Sequence, residues 1–77
     1  MEKIDQALAN VLKELRERNQ LSQEQLSFAA DLHRTYISQL ERGLKSITVK
    51  TLFKITNALQ IDIDVFMKKV VDEFKKL

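Results

Sequence analysis

Residues 22–43 read SQEQLSFAADLHRTYISQLERG, two helical runs joined by a few residues. Ser22 stands before the first run with Gln25 three residues on, so a hydroxyl and an amide can each satisfy a free backbone N–H at the helix start. A short helix is expected from about Gln23 to Ala30. Asp31 is among the few residues other than glycine that visit the left-handed region at tolerable cost, which suits a tight turn after a helix. Leu32 would plug that turn into the core. The next helix runs from about Arg34 to Arg42 with Ile37 and Leu40 inward, and Gly43, the only glycine of the chain, sits where a C-terminal cap is wanted.

Ile4, Leu8, Val11, Leu12 and Leu15 recur at helical spacing, with Lys13, Glu14 and Glu17 on the other side, so a helix from about Ile4 to Arg18 precedes the pair and Asn19-Gln20 ends that helix. Downstream, Thr48 can cap a helix from about Val49 to Leu59, with Leu52, Ile55 and Leu59 on one face. Either Asp62 or Asp64 can cap the last helix. There Phe66, Val70, Phe74 and Leu77 form one apolar row and Ile63, Met67 and Val71 a second beside it, a stripe wider than one core contact needs. Either both rows are core, or one packs inward and the other meets the same helix of another copy. No repeat, linker or low-complexity segment interrupts the chain, which is all-α with five helices.

Composition narrows what such a chain can do. Its 77 residues make one domain, 1–77, with one core and no second lobe for catalysis. Cysteine is absent, which removes disulfides and thiolate zinc sites together and leaves a second subunit as the natural staple for so small a core. No apolar run is long enough to span a bilayer, and Met1-Glu2-Lys3-Ile4-Asp5 is too charged for a secretory signal, so a cytoplasmic protein without membrane contact is expected. Between Arg34 and Lys54 five cations face Glu41 alone, whereas the rest of the chain sums to −2 of the net +2. A basic segment of this kind marks either a surface that meets phosphate or an ordinary solvated face.

The pieces Leu21-Ser22-Gln23-Glu24-Gln25-Leu26-Ser27 and Arg34-Thr35-Tyr36-Ile37-Ser38-Gln39-Leu40-Glu41-Arg42-Gly43 resemble the Xre/Cro/phage-repressor family of helix-turn-helix proteins, over about Leu12 to Ile61. Within it, Arg-Thr-Tyr-Ile-Ser in so short a chain with one extra helix looks most like the controller proteins of restriction-modification systems. The resemblance implies a lambda-repressor-like five-helix domain with its motif at about 22–43 and a dimerising helix at about 62–77. It also implies a homodimer that binds a pseudo-palindromic double-stranded DNA operator and regulates its own promoter and an endonuclease gene. RNA polymerase is a possible further partner, although the residue pattern locates no surface for it. Phage or mobile-element repressors, and an antitoxin or adaptor that binds protein, share the fold. Gly is usual in this family where Gln20 and Asp31 stand, and Pro often precedes the helix that starts near Val49. Gln20 is a poor left-handed residue and leaves the first turn's geometry open.

A major groove about 12 Å wide admits one α-helix, and base edges are reached from its N-terminal end and outward face. Arg34, Thr35, Ser38 and Gln39 meet that condition. Arg34 can donate twice to a guanine or clamp a phosphate, and the other three can read bases or hold backbone. Gln23 opens the preceding helix, where its amide and nearby N–H groups can hold a phosphate. Arg42, Lys45 and Ser46 follow the reading helix and can grip backbone. Tyr36, by resemblance, approaches the backbone or minor groove; otherwise it is a phenol packed half-buried on the motif. The resemblance also pairs Arg16 with Glu41, a structural ion pair between the first and third helices, and the second row of the last helix, Ile63, Met67 and Val71, is the candidate dimer interface. His33 is a helix-start or backbone-contacting residue rather than a metal ligand, since one histidine without cysteine makes no metal site. No nucleophile with a base and no split carboxylate pair stands in the sequence, so neither catalysis nor a cofactor is expected.

Overall fold

The computed structural model describes residues 2–77. Five helices follow one another: α1 (Lys3–Arg18), α2 (Gln23–Ala30), α3 (Arg34–Glu41), α4 (Val49–Ala58) and α5 (Ile63–Lys76), with no strand among the described residues. The expected all-α, five-helix reading holds. Helix ends differ from the sequence reading by a residue: α3 stops at Glu41 with Arg42 as its cap, and α4 at Ala58 with Leu59 as its cap.

Local chemistry accounts for the starts. Ser22 Oγ accepts the Gln25 N–H at 3.0 Å while Gln25 Oε1 accepts the Ser22 N–H at 2.8 Å, a complete capping box. Thr48 Oγ1 accepts the Thr51 N–H at 3.1 Å. Of the two candidate caps for α5, Asp62 holds the position, but without a side-chain bond.

The ends of α1 to α4 share one device. Gln20, Asp31, Gly43 and Gln60 all leave their helices with positive φ, between 55° and 71°. The next residue in each case, Leu21, Leu32, Leu44 or Ile61, donates its N–H back to the carbonyl of Arg16, Ser27, Gln39 or Thr56, at 3.1, 2.8, 2.9 and 3.0 Å. These are the six-residue closures that satisfy orphan carbonyls after a left-handed residue. Leu21, Leu32 and Ile61 then pack against the core. The left-handed first turn is therefore made, with Gln20 where glycine is usual, and Gln60 makes another that the sequence reading did not mark.

One cluster forms the core. Leu8, Leu12 and Leu15 of α1 meet Leu26, Ile37, Leu40, Ile55, Phe66 and Val70 from the other four helices. Full burial of each large side chain contributes about 1.5–3 kcal/mol before ordering costs. The α5 rows do not divide as expected. Phe66 and Val70 are fully buried, but Phe74 and Leu77 of the same row are 39% and 43% exposed. The turn they occupy meets polar α1 surface: Asn10 Nδ2 donates to Glu73 Oε2 at 2.8 Å, and Glu14 and Lys76 line the same depression. Ile63 and Met67 are half-buried against the core, and Val71 is exposed.

Candidate nucleic-acid interface

The apolar positions of α3 fix which face is presented outward. Ile37 and Leu40 are wholly buried, which turns Arg34 and Thr35 into solvent at the helix start and leaves Ser38 and Gln39 half-buried beside them. Gln23 at the start of α2 lines one shallow depression with Arg34, Thr35 and Ser38. The two helix beginnings thus share a polar surface, and first-turn N–H groups have no partner within a helix. Arg42, Lys45 and Ser46 stand exposed just past α3. Among the described residues Arg34, Arg42 and Lys45 form no ion pair, so their charge is available to an anionic partner.

Behind this face, the orientation of α3 is held by a buried network. Arg16 of α1 donates from Nε to Glu41 Oε2 at 2.6 Å and from Nη2 to Oε1 at 3.0 Å, while its Nη1 reaches the Leu21 carbonyl at 2.7 Å. The two side chains are 11% and 3% exposed. The hydrogen bond from Glu41 raises the Arg16 pKa above its ordinary range; burial opposes this, and the Glu41 and Glu17 charges add to the rise. A forked guanidinium on a carboxylate fixes geometry as well as charge. One pair thereby ties α1, the first turn and the end of α3 together.

Two sequence expectations meet competing bonds. Gln23 Nε2 donates to Glu41 Oε1 at 3.2 Å, so its amide is partly drawn to the protein rather than left free for phosphate. The Ser46 hydroxyl donates to Asp5 Oδ1 at 3.1 Å. Tyr36 is half-buried and packs against the core, and His33 occupies the cap position of α3 without a side-chain capping bond. Sequence reasoning singled out neither Phe28 nor Phe53, which stand 89% and 56% exposed on α2 and α4. Their signal lay in the helical period: both fall off the apolar rows formed by Leu26 and Ala30 and by Leu52, Ile55 and Leu59.

With this geometry in place, comparison with known proteins gives a consistent answer. Residues 12–66 match the Helix-turn-helix family model. Control protein C.BamHI of Bacillus amyloliquefaciens is 46% identical over 44 residues, 57% of this chain and 54% of its own length, so the matched part spans about half of that relative. Control protein C.SmaI of Serratia marcescens is 40% identical over 60 residues, 78% of this chain and 71% of that one. The chain belongs to the helix-turn-helix controller proteins. Among solved structures, the wild-type restriction-modification controller protein C.Esp1396I superposes with a TM-score of 0.92 at 30% identity, covering 100% of both chains. The same protein has been solved as a tetramer with its natural 35 base-pair operator, and its chain there matches at a TM-score of 0.89 and 30% identity over 96% of this chain and 97% of that one. The controller fold therefore extends through α5, beyond the residues of the family model. Among the described residues no helix is long and apolar enough to cross a membrane.

Proposed function

We propose that this chain is a sequence-specific transcriptional regulator, an autoregulating controller of a restriction-modification system that binds a pseudo-palindromic operator as a homodimer. The observation that carries the reading is the outward face of α3, where burial of Ile37 and Leu40 presents Arg34 and Thr35 at the helix start with Ser38 and Gln39 alongside. In the proposed complex these four read base edges. Gln23, Tyr36, Arg42, Lys45 and Ser46 hold the sugar-phosphate backbone, Gln23 chiefly through its helix end because its amide is shared with Glu41. Two reading helices enter successive major grooves about 34 Å apart. Residues 1–77 act as one DNA-binding unit, and the 62–77 segment dimerises through Ile63, Met67 and Val71. Exposed Phe74 continues that stripe, and Phe53 lines a groove with Ile63.

The role is regulatory rather than catalytic, exercised in the cytoplasm, with RNA polymerase as a partner at the controlled promoter. Its support is that Arg34 and Thr35 stand exposed at the start of α3 while Arg16 and Glu41 hold that helix from behind. Selection from a random-sequence duplex library tests this reading. Enrichment of two inverted half-sites about one helical turn apart is expected, whereas recovery of no common sequence would overturn it.

A further inference from the structure

Lys45 and Ser46 are the stretch of the proposed backbone grip that no helix holds. Leu44 closes α3 by donating its N–H to the Gln39 carbonyl, Ile47 packs on the core and Thr48 caps α4, so these two residues stand between fixed points. From the first turn of α1, 41 positions away in sequence, Asp5 reaches this loop, and its Oδ1 accepts the Ser46 hydroxyl at 3.1 Å. A hydroxyl donates one proton, and the oxygens of an ionised phosphate only accept. Ser46 can therefore donate to Asp5 or to a phosphate, not to both. The carboxylate also stands where an anion is least suited to DNA. Glu41, the acidic residue of the basic segment, is turned inward onto Arg16. Asp5 is half-buried beside the exposed loop and, among the described residues, pairs with no lysine or arginine. We propose that Asp5 sets the affinity for DNA, as a built-in competitor that withholds the Ser46 hydroxyl from the sugar-phosphate backbone.

This rests on the operator-bound dimer proposed above, in which Ser46 holds backbone. Each subunit releases one Asp5–Ser46 bond as its loop closes on a phosphate. The freed carboxylate then stands about 5 Å from that phosphate and repels it. Phosphates carry no sequence information, so the competition weakens binding to every duplex. For a regulator of its own gene the consequence is a threshold, because weaker binding raises the concentration at which the operator fills. Asp5 also lies in the first turn of α1, where a negative charge favours the helix. Any effect of its removal on the fold would loosen the domain and weaken binding, a sign opposite to that of the competition.

The test titrates the full chain against the duplex that it selects from random DNA and against a random duplex of equal length, at two salt concentrations. Asp5→Ala is expected to bind both duplexes about tenfold more tightly as a dimer, about threefold for each exposed hydrogen bond that no longer has to be broken. Asp5→Asn keeps the acceptor and removes the charge, so it should gain less, and its gain should shrink at the higher salt. In a Ser46→Ala background the gain from Asp5→Ala should fall below about twofold at the higher salt. Unchanged or weaker binding by an Asp5→Ala protein that melts like wild type would overturn the proposal and make Asp5 a support of the loop. Should that variant melt lower, the same result in Asp5→Asn decides. A gain that persists in full without the Ser46 hydroxyl would overturn it too, in favour of charge repulsion alone. Both of these outcomes leave the DNA-binding reading intact. If the wild-type chain selects no common sequence and binds neither duplex, the operator reading fails, and the proposal with it.

Discussion

Arg16 and Glu41, 25 positions apart in sequence, are joined by two side-chain hydrogen bonds of 2.6 and 3.0 Å. Glu41 is the last residue of α3, so the pair fixes the end of the presented helix from behind, and Gln23 adds a third bond to the same carboxylate. Truncation of one partner leaves a buried charge unpaired, which costs more than the pair itself contributes.

Glu41→Ala is therefore expected to destabilise the fold by about 3 kcal/mol, read by urea denaturation. Arg16→Met combined with Glu41→Leu should cost clearly less than the sum of the two single changes. The contribution of Arg16 should also be insensitive to pH around neutrality. A raised guanidinium pKa gives stability that is complete below the unfolded value and lost only as pH rises through the folded one, a strongly alkaline window. A stability step near pH 7 that Arg16→Met abolishes would contradict this.

The left-handed turns give predictions of opposite sign at equivalent places. A non-glycine residue there carries a steric cost of about 1–2 kcal/mol, offset in part by the greater freedom that glycine has when unfolded. Gln20→Gly and Gln60→Gly should each raise the melting temperature by a few degrees. Gly43 has φ of 71° and is buried, so Gly43→Ala should lower it by more. Calorimetry of the three variants checks this, and stabilisation by Gly43→Ala would refute the turn argument.

Arg34 and Lys45 should separate in binding. Arg34→Ala is expected to lose about 1–3 kcal/mol of discrimination at one base pair of each half-site. Lys45→Ala should weaken specific and random DNA alike and reduce the salt slope by about one per subunit. Equal losses on both kinds of DNA for Arg34→Ala would take it out of the base-reading set.

Val71 is 45% exposed in the single chain, so Val71→Asp should leave the fold intact and disfavour pairing. Sedimentation at micromolar concentration is expected to show dimer for wild type and monomer for the variant. Dimers from both would move the interface off this row.

The motif was legible because its signals are local. Ser22 with Gln25, Asp31 before Leu32, and Gly43 after the helix each state in adjacent residues what the backbone does. Gln60 carries no such mark, since glutamine is unremarkable in a turn, and Gln20 stands out only by resemblance, as a place where glycine is usual; the apolar residue that follows each, Leu21 or Ile61, hints at the closure. Periodicity misled at the end of α5. Phe74 and Leu77 continue the row of Phe66 and Val70, but helical spacing cannot tell where a neighbouring helix stops offering apolar surface, and Asn10 meets Glu73 there instead. The bond from Gln23 to Glu41 was invisible for a related reason, because it joins residues from different helices. Phe28 and Phe53 broke the apolar period of their helices, and that break, rather than any motif, is what flags an outward aromatic.

Titration of the full chain against the DNA upstream of its own coding sequence, with random duplex of equal length as competitor and at two salt concentrations, tests the regulatory reading most directly. A strong preference for its own upstream DNA that persists at the higher salt is the expected result. Binding that is weak, equal on both duplexes and abolished by salt would contradict sequence-specific autoregulation.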